Sequence, residues 1–325
     1  MTIAVTGASG HIGNNICRAL LAKGYKVRAM IHVHSNALEG LDVEKVRGDI
    51  TDPESLSKFF TDVDCVVHAA GKISIDGDPD GSVHAVNVVG TKNVVEACLA
   101  RGVRRLLYVS SIHALKQSPE EELDETRAFV GSEGFLHDVS KSEAEKEVLK
   151  GIVQGLDAVI LIPTAVIGPY DFQSSLMGQG LLALYNRKVP ALIAGGFDWV
   201  DVRDVAKAAI GALEKGKSGE RYLISGLWKT VRELAQLVQE ITGKSAPKFT
   251  TPNWLARMGV PLARAYSMIT NTPTLYTTET LDVLLRCNRN INCSKAKREL
   301  AFHPRPLIDT LKDTFDWYKQ SGILR

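Results

Sequence analysis

The chain has 325 residues, 39 of them Lys or Arg and 37 Asp or Glu, and its net charge of +2 includes no basic block, which argues against a nucleic-acid partner. Its five cysteines (Cys17, Cys65, Cys98, Cys287 and Cys293) are scattered and form no CxxC pair, so they point to reduced thiols and to neither a disulfide framework nor a metal site. No apolar run reaches the length of a membrane span, and a strand beginning at residue 2 leaves no room for a leader, so a cytoplasmic protein without a membrane partner is expected.

Residues 2–5 read as a buried strand, followed by the turn TGASGHIG at 6–13 and a helix over 11–23. A strand, a glycine turn and a helix N-terminus in that order make an anion site, because free backbone N–H groups and the helix dipole converge on one place. Gly7, Ser9, Gly10, His11, Ile12 and Gly13 are therefore the expected contacts of a dinucleotide. Strands are predicted at 26–31, 44–47, 65–68, 105–109 and 157–162, alternating with helices at 53–60, 82–100 and 137–150. Such alternation predicts an α/β fold, a doubly wound parallel sheet whose ligand lies beyond the carboxyl ends of the strands.

The second half differs. A capping box from Thr230 to Glu233 opens a helix at 231–241, and helices follow at 254–269, 278–286, 294–300 and 307–320. Only short strands appear, at 221–224 and 291–293. The apolar stretch 254–270 is broken by Arg257, Pro261 and Arg264 and reads as a helix lining a cleft or lying on the surface. The expected division is a dinucleotide-binding unit over 1–170, to which 200–225 returns, and a smaller, mostly helical substrate region over 171–199 and 226–325.

The end of the second strand chooses the cofactor. An acid there would bind a ribose 2′-hydroxyl, whereas basic groups suit the 2′-phosphate of NADP. The stretch from Arg28 to His34 has no acid before Glu39, so Arg28 and His32 favour NADP over NAD. Arg28 also has a plainer reading, as an ordinary edge charge. Asp49 and Ile50 follow the third strand, where a carboxylate can accept from an adenine amino group and an aliphatic side chain can cover the ring. Alternatively Asp49 and Asp52 cap the next helix, which Asp52 suits better. Ala69, Ala70 and Gly71 end the fourth strand with residues small enough for close backbone approach.

Taken together, TGASGHIG, GDITD at 48–52, HAAG at 68–71, Asn87 to Thr91, YVSS at 108–111, SK at 140–141, Pro163 to Pro169, VDVRDV at 200–205 and SKAKREL at 294–300 resemble the extended short-chain dehydrogenase/reductase family, also called the NAD-dependent epimerase/dehydratase family. The resemblance spans essentially the whole chain and is closest to the dihydroflavonol-4-reductase-like branch. It implies a Rossmann fold, a bulky carbonyl or alcohol substrate, Pro163 beside the cofactor, and an option of homodimers through the helices at 82–100 and 137–150. It also implies a Ser–Tyr–Lys site, in which the lysine holds the nicotinamide ribose and lowers the phenol pKa.

By position Ser111 is that serine and Lys141 that lysine, but the tyrosine position holds His137, and no tyrosine lies between Tyr108 and Tyr170. Three readings follow. His137 is itself the acid–base group, though Lys141 nearby would keep its ring neutral. Alternatively His113 or Tyr170 supplies the proton. Or the chain binds NADP without turnover. An epimerase or dehydratase that retains NAD is the competing enzyme class. Phe197 and Trp199 read as local packing rather than cleft walls.

Overall fold

The computed structural model describes residues 1–75, 77–189, 191–270 and 276–324, with 263–270 described as backbone only. Seven parallel strands form the central sheet: β1 (Thr2–Thr6), β2 (Lys26–Ile31), β3 (Glu44–Arg47), β4 (Cys65–His68), β5 (Arg105–Val109), β6 (Ala158–Pro163) and β7 (Arg221–Ile224). Their order across the sheet is β7-β6-β5-β4-β1-β2-β3. β4 and β6 are buried at every residue, which is why they are apolar at all positions but His68: helices cover both faces of a parallel sheet. β3 is the edge, and its Glu44, Lys45 and Arg47 face solvent and discourage further pairing.

The flanking helices include α1 (His11–Ala22), α2 (Pro53–Phe59), α3 (Gly90–Arg101), α4 (Leu136–Val153) and α5 (Val202–Lys215). Register fixes where they meet the ligand edge. Thr6 pairs with His68, and His68 with Tyr108, so the carboxyl ends of β1, β4 and β5 lie level. The strand order reverses between β1 and β4, and the two turns that follow these strands open there together.

A second, smaller core gathers Leu181, Phe197, Trp199, Leu234, Phe315 and Trp317. Phe197 and Trp199 meet edge to face at 5.4 Å inside it, as the packing reading expected. Its three-stranded sheet (Ala165–Ile167, Gly196–Asp201 and Leu227–Thr230) was not foreseen, nor was the helix Leu176–Tyr185, whose two glycines hide its periodicity. The Thr230–Glu233 capping box forms in full. Arg305 clamps this side to the sheet through Asp204 on α5, with contacts at 2.7 and 3.0 Å.

The helix expected over 82–100 forms without a break, as an α turn at Ser82–His84, a wide π turn at Ala85–Val89, and α3. The wide turn aims Asn87 inward, where its amide clasps the Lys72 backbone in both directions at 2.8 and 2.9 Å. The strand expected at 291–293 is Asn290–Ile291, because Asn292 turns to accept from the Ser294 N–H at 3.0 Å.

Candidate active site

The glycine turn is built for close approach. Gly7 has φ +69°, and a Cβ on it would stand 2.5 Å from the Ala70 nitrogen. A Cβ on Gly13 would fall on the Gly7 carbonyl oxygen. Gly10 caps α1 without a side-chain hydrogen bond, and the first turn of α1 has no acid, so its leading N–H groups face outward for an anion. Ser9 and His11 have other duties as well: the Ser9 hydroxyl donates to the His34 carbonyl at 2.5 Å, and the His11 ring donates to the Pro169 carbonyl at 3.1 Å. Ile12 packs against the main core. Asn14 and Asn15, which the sequence reading missed, bind the Tyr170 and Pro169 carbonyls at 3.0 and 3.2 Å and fasten that loop over the turn.

Arg28 requires a correction. It sits in the first half of β2, opposite Ala4, rather than at the strand end. Its guanidinium donates to Glu44 at 2.7 Å and to the Phe59 and Thr61 carbonyls at 3.1 and 2.6 Å. These contacts hold its donors away from the strand end, which fits the plainer reading of Arg28 as an edge charge. The strand end itself presents His32, Val33 and His34, all exposed.

Asp49 closes the turn ahead of α2 and does not cap the helix itself. Its Oδ1 accepts from the Thr51 N–H and hydroxyl, both at 2.8 Å, while Oδ2 lies 3.6 Å from His32 Nε2. Burial raises its pKa, but these Thr51 bonds and His32 outweigh it and hold the carboxyl below its usual range. Asp52 caps α2 by accepting from the Glu54 N–H at 2.9 Å. Ile50 is buried against Gly90, with room there only because Gly90 lacks a Cβ. Pro163 is buried at the end of β6 opposite Ile224.

The other half of the cleft belongs to α4. His137, Lys141 and Glu145 fall four apart, along one stripe of the helix, and all three are buried. Lys141 points at the end of β4: a Cβ on Gly71 would lie 3.1 Å from Lys141 Nζ and 3.4 Å from Asn87 Oδ1. Among the described residues no hydrogen bond holds that ammonium. Burial pushes its pKa down to about 8, with Glu145 opposing the fall. Glu145 in turn takes the Ser110 hydroxyl and the Arg221 guanidinium, the latter at 2.7 Å. Ser111 caps the short turn Ile112–Ala114, accepting from the His113 N–H at 3.2 Å.

The two histidines of this cluster carry opposite charge tendencies. His137 is 8% exposed, and its Nδ1 has no partner among the described residues. Burial, then His113 and Lys141, push its pKa down to about 3, so the ring is neutral. His113 lies edge to face with it at 5.9 Å and pairs through Nδ1 with Asp138 Oδ1 at 3.0 Å. Burial works against its charged form, yet the Asp138 carboxylate, helped by Glu279, holds the imidazolium above the usual histidine range. Asp138 escaped the sequence reading, since a helix-start acid beside His137 resembles an ordinary cap. Tyr170 lies elsewhere: Arg18 stands 4.0 Å over its ring, and Phe172 and Trp317 pack on it. His68 is a structural crosslink between Thr6 at 2.7 Å and Thr91 at 3.0 Å.

Comparison with known proteins agrees with this architecture. The sequence model of the NAD dependent epimerase/dehydratase family matches residues 3–225. The chain is 35% identical to sterol demethylase protein B of Methylococcus capsulatus, over 100% of both chains. It is 28% identical to a putative dihydroflavonol 4-reductase of Synechocystis, covering 99% of this chain and 95% of the relative. The crystal structure of gox2253 superposes with a TM-score of 0.86 at 29% identity, covering 100% of this chain and 99% of that one.

Proposed function

Because the chain belongs to the NAD dependent epimerase/dehydratase family, we propose that it is an NADP-dependent oxidoreductase interconverting a ketone and a secondary alcohol on a bulky, apolar substrate. The observation that carries the reading is the approach of Lys141 to Gly71 and Asn87, on the same sheet edge as the glycine turn. The residues present fit a dinucleotide: the uncapped N-terminus of α1 would hold its pyrophosphate, Ala69 to Gly71 would line its path, and Lys141 would hold the nicotinamide ribose. Bound there, the cofactor supplies or accepts the hydride.

The chain's own part is the proton. The Ser111 hydroxyl orients the substrate oxygen. His113, kept charged by Asp138, stores the proton that a reduced oxygen needs. Neutral His137 positions that oxygen through its single ring N–H, or relays a proton by taking one on one nitrogen and releasing one from the other, but by itself it is a poor acid. NADP is preferred because the strand end offers His32 and His34 and no acid before Glu39; Arg28 takes no part in this preference. An apolar substrate fits the mouth, where Ile73 and Leu136, next in chain to Lys72 and His137, are 61% and 56% exposed. A sterol, named in the Methylococcus relative, is a substrate of that class.

The test is oxidation of NADPH and NADH with a panel of bulky ketones, including 3-ketosteroids. Turnover with NADPH preferred supports the reading, and His32→Asp is expected to shift the preference toward NADH. Purified protein carrying NAD that never exchanges, with no net cofactor turnover, would show an epimerase or dehydratase instead.

A further inference from the structure

Thirteen large apolar side chains are exposed among the described residues, and five of them (Phe249, Trp254, Leu255, Met258 and Leu262) fall within 249–262. Single exposed apolar residues are ordinary; a contiguous set is not. Four of the five sit on the helix Asn253–Thr270. Trp254, Met258 and Leu262 follow one another at every fourth position, so they form one stripe, and they are 65%, 65% and 75% exposed. Ala256, on the other face, is 1% exposed. The helix thus turns an apolar face outward, the reverse of an ordinary surface helix. Arg257 at its edge pairs with Asp282.

Apart from the Asp282 that pairs with Arg257, the charge along this segment has one sign. Between Glu240 and Glu279 the sequence contains Lys244, Lys248, Arg257 and Arg264 and no acidic residue. Lys244 and Lys248 are exposed, the second of them directly before Phe249. An outward apolar stripe carrying a tryptophan, set among basic residues, is the pattern of a helix that lies in a membrane interface.

We propose that this face seats the protein on an anionic lipid surface, with Phe249, Trp254, Met258 and Leu262 entering the headgroup boundary and Lys244 and Lys248 meeting lipid phosphates. This is contact in the plane of a bilayer and not a span: among the described residues no helix is long and apolar enough to cross a membrane. Neither the absent span nor the balanced net charge revealed it in the sequence, since both describe the whole chain. A second copy of the chain fits the face less well, because a two-fold dimer would set one basic segment against the same segment of its partner. The seat also lies near the chemistry. Arg257 ties the helix to Thr278–Arg286, whose first turn carries Glu279, a contributor to the field at His113. An apolar substrate leaving the bilayer would emerge beside the acid–base cluster.

The experiment is sedimentation of the full chain with vesicles of phosphatidylcholine alone and of phosphatidylcholine with phosphatidylglycerol, at low and high salt. Binding to the anionic vesicles that weakens with salt is expected. The double variant Met258→Glu, Leu262→Glu should lose at least about tenfold in vesicle affinity, and Lys248→Glu a smaller part. Both should keep the native melting temperature, since these side chains already face outward. A native chain that stays in the supernatant with both vesicle types overturns the proposal. So does a dimer, seen by sedimentation velocity without lipid, that the double variant dissociates. Absence of ketone reduction in every form would strike the functional reading and leave the vesicle result standing.

Discussion

At the glycine turn the wall of the cleft is backbone: Gly7 touches Ala69 and Ala70 with nothing between them, and the donors facing the ligand edge are N–H groups of α1. At the start of α4 the wall is side chains, and its chemistry is the charge on two rings 5.9 Å apart. The first region tolerates no added atom but does not titrate. The second is made of groups that do titrate, His113 and His137 among them. On the proposed function, the first region would bind the dinucleotide and the second would serve turnover, so the two roles should be separable by substitution. Variants should divide along that line.

The largest effect is expected at the glycines. Gly13→Ala places a methyl on the Gly7 carbonyl, and Gly7→Ala adds strain of about 1–3 kcal/mol at a positive φ. Both should abolish dinucleotide binding in a fluorescence titration, and melting curves should show the destabilisation. Next in size, His113→Ala should lower kcat for ketone reduction by about 100-fold or more with the dinucleotide Kd unchanged. His137→Ala should cost less. If the two variants exchange places, the proton is held at His137 and the division of labour drawn between these rings is wrong.

A pH profile sharpens the same point. Reduction needs His113 protonated, so kcat should be full below its raised pKa and fall as pH rises through it. Asp138→Asn removes the partner that raises that pKa, so the falling limb should move to lower pH; an unmoved limb would detach the pair from turnover. Stability gives a further contrast. Buried His68 and His137 have folded pKa values near 3, below the value near 6.5 of an unfolded histidine. The unfolded chain therefore binds more protons, and stability is lost as pH falls from about 6.5 toward 3. Thermal midpoints across that range should drop less steeply in His68→Asn than in the native chain. The smallest effect lies away from both regions: Asp52→Ala removes the cap of α2 and should cost about 1 kcal/mol with activity intact.

Much of the sheet was legible because its signals are local. Runs such as Cys65–His68 and Ala158–Pro163 are apolar at nearly every position, and only a strand buried on both faces explains them. The Thr230–Glu233 box and the Asp52 cap are equally local, each closed within a few residues. The π turn was not legible, since what opens it is Asn87 meeting Lys72 and Ser140 from other parts of the chain.

A strand, a glycine turn and a helix opening the chain, a parallel sheet after them, and a histidine four residues before Lys141 can all be read from the order of residues alone. Turn chemistry and helix spacing are written in neighbouring residues, so folding cannot alter them. Tertiary structure alone decided what the charged groups do. Arg28 was expected to meet a phosphate and instead binds Glu44 and two carbonyls, because its half of β2 faces the opposite edge. Burial drives His137 toward the neutral form while Asp138 draws His113 toward the charged one, and such tendencies are set by surroundings that only the folded chain assembles.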